Sequence, residues 1–153
     1  GGLLIIACKA YLERQKHKFK PKPYKVGLDV HGVLDTAPEF FSHISQLLVL
    51  AGCEVHIITG AECTPELIQQ LKDLGIEYTH FFSIVDHEKS IGTPITYLSP
   101  GNPKIDDEIW NKAKAQYCSE NQIDMMLDDS PIYGDHFTTP YIQLIVKKFA
   151  IEK

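Results

Sequence analysis

The chain has 153 residues, of which 44% are hydrophobic and 23% charged, with a formal net charge of −5. That length makes one domain the default, and that composition excludes a disordered or low-complexity chain. Residues 1–25 carry seven Lys or Arg against one acid, Glu13, so a basic arm precedes an acidic body.

The apolar run 3–7 is far too short to span a bilayer and lacks the preceding positive charge of a secretory signal, so no membrane span is expected. The Gly-Gly start without Met reads as a cloning scar or a processed fragment, and Gly2 does not read as a lipidation site. Residues 3–17 read as a helix with Leu3, Ile6, Ala7, Ala10 and Tyr11 on one side. Pro21 and Pro23 break regular structure, which makes 1–23 a basic, helical arm and 24–153 the domain proper. The arm suits a solvated linker or contact with an anionic surface. Its only aromatics are Tyr11, Phe19 and Tyr24, so nucleic acid is a disfavoured partner.

The first strand spans 25–30 and brings Asp29 to its tip, followed by a turn at Gly32 and a second carboxylate, Asp35. A helix follows over 38–51 with Phe40, Phe41, Ile44, Leu47 and Leu48 inward, stopped by Gly52. The second strand, 54–59, ends at Thr59-Gly60. Thr64 and Pro65 then read as N-cap and first helical residue, with Leu67, Ile68, Leu71 and Leu74 inward. A third strand lies near 78–84. Residues 85–103 look irregular, with Gly92, Pro94, Pro100, Gly101 and Pro103. A helix over 106–119 starts on three acids that suit its dipole, and strands follow at 123–127 and 141–146. Strands alternating with helices predict a three-layer α/β/α, Rossmann-like parallel sheet with right-handed crossovers.

The four cysteines (Cys8, Cys53, Cys63, Cys118) share no metal-type spacing and no redox motif. Scattered thiols in a domain with a real core point to a reducing, cytoplasmic compartment. His80 and His87 are too far apart for a helical metal pair and read as surface or core histidines.

Three chemical features fall at strand tips, where open α/β sheets keep their sites. Asp29 stands before a glycine turn. Thr59 and Gly60 precede a helix, so the hydroxyl and the next amides form a cradle for phosphate oxygens. Asp128 and Asp129 are adjacent acids, with Asp135 six residues on. Clustered carboxylates repel and raise one pKa, and hard oxygen ligands of this kind suit Mg²⁺.

In this setting the chain resembles the haloacid dehalogenase superfamily of aspartate-nucleophile phosphotransferases. The family's first motif, Asp-x-Asp-Gly-(Thr/Val)-Leu, reads here Asp29-Val-His31-Gly-Val-Leu34. Its second, an apolar strand ending in Thr or Ser, reads Val55-His-Ile-Ile-Thr59-Gly60. Its third, a Lys that begins a helix, fits Lys104-Ile-Asp-Asp-Glu-Ile-Trp110, and its fourth, paired acids after an apolar strand, fits Met125-Met-Leu-Asp128-Asp129. The resemblance covers roughly residues 24–146. It implies a Mg²⁺-dependent phosphatase that hydrolyses a phosphate monoester, such as a nucleotide or sugar phosphate. Asp29 would be the nucleophile. Thr59 and Gly60 would bind the phosphoryl group, and Lys104 would neutralise it. Mg²⁺ would be held by Asp29, Asp128, Asp129 and the His31 carbonyl. Lys112 and Lys114 are rivals for the lysine role from within the helix.

The chain departs from the pattern at His31, where the family's phosphatases usually place a second Asp as acid and base. Histidine can do that chemistry near neutral pH. The alternative is a non-catalytic or very slow phosphate- and metal-binding protein that acts as an interaction module. The stretch between Asp35 and Thr59 holds a helix and a strand and no more, and 85–103 holds at most a small flap, so the cap is minimal. In this family an open site goes with large substrates or with homo-oligomers. His87, Lys89 and Tyr97 are the candidates for substrate contact from the flap.

Overall fold

The computed structural model describes residues 2–16 and 23–146. Helix α1 (Gly2–Lys16) matches the expected arm helix, while Lys18, Lys20 and Lys22 of the basic arm lie outside the described residues. Among the described residues no helix is long and apolar enough to cross a membrane.

The body is an α/β fold around a five-stranded, all-parallel sheet. Strand β1 (Lys25–Leu28) leads through a wide turn into α2 (Pro38–Leu50), then β2 (Glu54–Thr59), α3 (Pro65–Asp73) and β3 (His80–Ser83). Next come α4 (Ile84–Ser90) and an antiparallel hairpin, β4 (Thr96–Ser99) with β5 (Asn102–Lys104). Helix α5 (Asp107–Glu120), β6 (Met125–Asp128), α6 (Pro131–Gly134) and β7 (Tyr141–Gln143) complete the chain. The sheet order is β3-β2-β1-β6-β7. The chain winds outward from β1 to β3, then returns to place β6 on the other side of β1. The crevice between β1 and β6 is therefore the topological switch point, where such sheets bind ligands.

Central strands read as continuous apolar runs because both faces are covered. Ile57 and Ile58 are both fully buried, on opposite faces, as strand alternation requires. Ile57 joins Leu28, Phe41, Leu67 and Leu71 in a core beneath α2 and α3. Ile58 joins Val85, Ala113, Cys118 and Met126 beneath α4 and α5. The ends of α3 follow from its sequence: the Thr64 hydroxyl accepts from Leu67 N–H (3.2 Å), and Pro65 fills the first turn, where no N–H is needed.

Two expectations are corrected. Phe41 turns inward on α2, but Phe40 is 58% exposed and Leu47 is also exposed. The inward face instead includes Ser45, whose hydroxyl accepts from Glu77 N–H at 3.1 Å and ties the loop before β3 to α2. The stretch 85–103 is not irregular: it holds α4 and the hairpin, whose strands are fully or largely exposed. Its glycines and prolines sit in the connections and in the hairpin rather than marking a structureless loop.

Truncating the buried side chain between β1 and β3 should cost most. Ile57→Ala is expected to lower stability by about 2–5 kcal/mol, as a shift in the urea midpoint at unchanged slope.

Candidate active site

The register of β1 against β6 pairs Leu28 with Leu127, so the next residues, Asp29 and Asp128, emerge side by side at the carboxyl ends. Asp29 N–H donates to the Leu127 carbonyl (3.0 Å), which fixes the backbone of the first carboxylate to β6. The Asp29 side chain also accepts from Val30 N–H at 2.8 Å. The chain then swings through a turn closed by Asp35 N–H on the Val30 carbonyl (3.3 Å). Gly32 has φ +79°, and a Cβ there would lie 2.2 Å from Asp129 Oδ2. Only glycine both adopts that backbone and lets Asp129 approach. Asp35 folds back on the turn, accepting from Gly32 N–H (2.8 Å) and facing His31 Nδ1 at 3.4 Å.

The carboxylates of Asp29, Asp128 and Asp129 lie within 4.8 Å of one another. Asp29 and Asp128 are buried and Asp129 is exposed. Between the two buried acids sits the ammonium of Lys114, 2.7 Å from Asp29 Oδ2 and 2.6 Å from Asp128 Oδ2, with its side chain 2% exposed. Asp128 Oδ1 accepts from Ser130 N–H at 2.9 Å, so both of its oxygens are engaged. Burial pushes the Asp29 carboxyl up to about 6; the Lys114 ammonium opposes that push and the Asp128 charge adds to it. Burial pulls Lys114 down, but the charges and hydrogen bonds of the two acids outweigh it and hold the ammonium above its usual range.

These groups border a cleft of about 580 Å³ lined by Asp29, His31, Thr59, Lys114 and Asp129, with Trp110 and Tyr133 as its aromatic wall. Thr59 is buried at the end of β2, and its Oγ1 accepts from Ala61 N–H (3.2 Å), which leaves its proton to donate. Gly60 lets the wall come close: a Cβ there would meet the Trp110 ring at 2.6 Å. Trp110 Nε1 in turn donates to the Tyr133 hydroxyl at 2.6 Å. A depression of about 620 Å³ along α3 is lined by Pro65, Glu66 and their helical neighbours, and it holds none of the clustered acids.

The structure brings Asp29, His31, Thr59, Gly60, Asp128 and Asp129 to one cleft. It does not bring Lys104 there. Lys104 ends β5, is about half exposed, and pairs with Asp107. Helix α5 begins after it, capped by Asp106, so Lys104 is not the first residue of a helix. Lys112 pairs with Glu108 at 2.6 Å. Lys114 is the lysine at the acids. Asp135 caps the end of α6 and is not among the three clustered carboxylates. The flap candidates also fall elsewhere. Lys89 and the Tyr97 hydroxyl both bind Glu62, and His87 lies against Phe82. From the hairpin, it is Asn102 and Pro103 that line the cleft.

Three carboxylates against one ammonium leave two negative charges, a balance that a divalent cation restores. The ligand set is all oxygen and the raised Asp29 pKa is what a nearby cation relieves, so these residues fit Mg²⁺.

Lys114→Met removes the ammonium that pairs with both buried acids. It is expected to cost about 3–5 kcal/mol in metal-free buffer by urea denaturation, because it strands two buried carboxylates. Added Mg²⁺ should then raise the thermal midpoint of this variant more than that of the wild type. No protein-family model matches the chain, and no match was found among curated proteins or solved structures.

Proposed function

We propose that the chain is a Mg²⁺-dependent phosphatase of the haloacid dehalogenase type, which hydrolyses a phosphate monoester through an aspartyl-phosphate on Asp29. The observation that carries this reading is the meeting of Asp29, Asp128, Asp129 and Lys114 beside Thr59, at the carboxyl ends of β1, β2 and β6.

Asp29 is held by its own backbone on β6 and by Val30 N–H, so one oxygen is fixed while Lys114 orients the other. An Asp29 oxygen attacks phosphorus, the P–O bond to the substrate breaks, and the leaving oxygen takes a proton from the His31 imidazolium. Neutral His31 then accepts a proton from water as the water oxygen attacks phosphorus. Phosphate leaves, and the Asp29 carboxylate and the imidazolium are restored. His31 is 64% exposed at the rim of the cleft and faced by Asp35, which suits a group that exchanges protons with solvent. The Thr59 hydroxyl donates to a phosphoryl oxygen, and Lys114 offsets charge on Asp29 and on the transferring group. Asp29, Asp128, Asp129 and the His31 carbonyl would hold Mg²⁺, which would supply charge neutralisation to the transferring group.

His31 also favours a second reading, a protein of this type that binds phosphate and metal with little or no turnover. Hydrolysis of p-nitrophenyl phosphate and of a nucleotide panel separates the two. The wild type should turn over with Mg²⁺ and stop with EDTA, and Asp29→Asn should be inactive. Equal rates for wild type and Asp29→Asn would sink the enzymatic reading. Lys114→Met should lower turnover by about 10²–10³-fold, the scale of losing one preorganised charge partner, whereas Lys104→Ala should stay near the wild-type rate. His31→Asp should retain or raise hydrolysis.

A further inference from the structure

A second ionisable cluster lies at the opposite end of the sheet from the cleft. Glu54 and His56 stand two residues apart on β2 and so share a face, and His56 is in register with His80 on β3. The Glu54 carboxylate and one nitrogen from each ring lie within 4.8 Å of one another. The two imidazoles stack at 4.2 Å between centroids and 8° between planes.

Neighbouring side chains hold the donor atoms of this cluster close together. His56 is 2% exposed, and its Nδ1 is bonded to the Tyr117 hydroxyl at 2.8 Å, which directs Nε2 toward Glu54 Oε2 at 3.1 Å. His80 Nδ1 is bonded to the Thr79 hydroxyl at 2.8 Å, which leaves Nε2 as the nitrogen open to a ligand. Lys25 also contacts Glu54 through Oε2, at 3.4 Å, so Oε1 is available. Outer partners of this kind fix the tautomer and ring direction of ligating histidines.

We propose that Glu54, His56 and His80 form a site for a divalent transition cation, with Zn²⁺ the best match. Two imidazole nitrogens beside one carboxylate make a mixed nitrogen–oxygen set that suits Zn²⁺ over Mg²⁺, and three protein ligands leave a fourth position for water. On binding, the proton that His56 Nε2 shares with Glu54 is given up and Nδ1 takes one in its place, donating to the Tyr117 hydroxyl, and the rings open from parallel so that both lone pairs aim at one ion. His80 is exposed and forms the entry. The bound ion ties β2 to β3 at the amino-terminal end of the sheet. The proposal does not depend on phosphatase activity in the cleft.

The test is calorimetric titration of Zn²⁺ into the full chain, with excess Mg²⁺ occupying the carboxylate cleft. His80→Ala is the main variant, because His80 is exposed and its loss leaves the core intact. The wild type should take up one more equivalent than His80→Ala, and Zn²⁺ should raise the thermal midpoint of the wild type alone. Tyr117→Phe should keep the site but weaken it by about tenfold or more, the scale of losing an outer-shell partner. Co²⁺ in place of Zn²⁺ should give the intense visible absorption of a four-coordinate site, absent in His80→Ala. Identical isotherms for wild type and His80→Ala, whether both bind or neither does, overturn the proposal.

Discussion

A lysine ammonium buried between two aspartates holds this structure together at its most demanding point. An isolated charge cannot be taken out of water at tolerable cost, so each of Lys114, Asp29 and Asp128 requires the others. The requirement joins three elements that share no continuous stretch of chain: the end of β1, the end of β6 and the middle of α5. It also explains why both oxygens of Asp128 are engaged although that residue has no exposure at all. The arrangement remains short of positive charge, and that deficit faces the cleft.

The rest of the site is arranged around this core by close approaches of backbone to side chain. Gly32 makes room for the Asp129 carboxylate, and Gly60 makes room for the Trp110 ring. The second approach sets one wall of the cleft, because Trp110 carries Tyr133 with it through their hydrogen bond. Lys114 Nζ in turn lies 5.1 Å from the centroid of the Tyr133 ring, a distance at which a cation is attracted to an aromatic face. Charge cluster and aromatic wall are therefore one connected unit. The hairpin is fastened separately, through Glu62, Lys89 and Tyr97, to the loop that follows β2.

Much of this was legible in the sequence, and the failures have physical causes. The strands of the sheet and α2, α3 and α5 announced themselves by apolar runs, N-caps and glycine stops. The acids at 29, 128 and 129 were legible because strand tips in an open sheet converge. The lysine was assigned to position 104 by motif shape, but the deciding signal lay in periodicity. Trp110, Ala113, Tyr117 and Cys118 form the inward stripe of α5, and Lys114 falls within that stripe. A lysine on a helix's apolar face requires a buried counter-charge. Phe40 was misplaced because successive residues of a helix point about 100° apart, and on α2 the inward direction falls at Phe41. The hairpin was hidden because its strands are exposed and carry no alternation. His56 and His80 become neighbours only through the register of β2 with β3, which no spacing along the chain encodes.

The order of the strands also bears on how the molecule is made. Lys25 N–H meets the Asp124 carboxylate at 2.8 Å across a separation of 99 positions, so the central strand must wait for a partner synthesised much later. Until then β1 can pair with β2 alone, and its other edge shows unpaired amides and carbonyls to any chain nearby. Parallel pairing over such separations is slow because loop closure precedes any reward. The acids of the cleft begin on that same open edge and are completed by the strand that closes it. During biosynthesis, the pairing that closes the open edge of β1 is thus also the one that assembles the cleft, and β7 later covers the outer edge of β6.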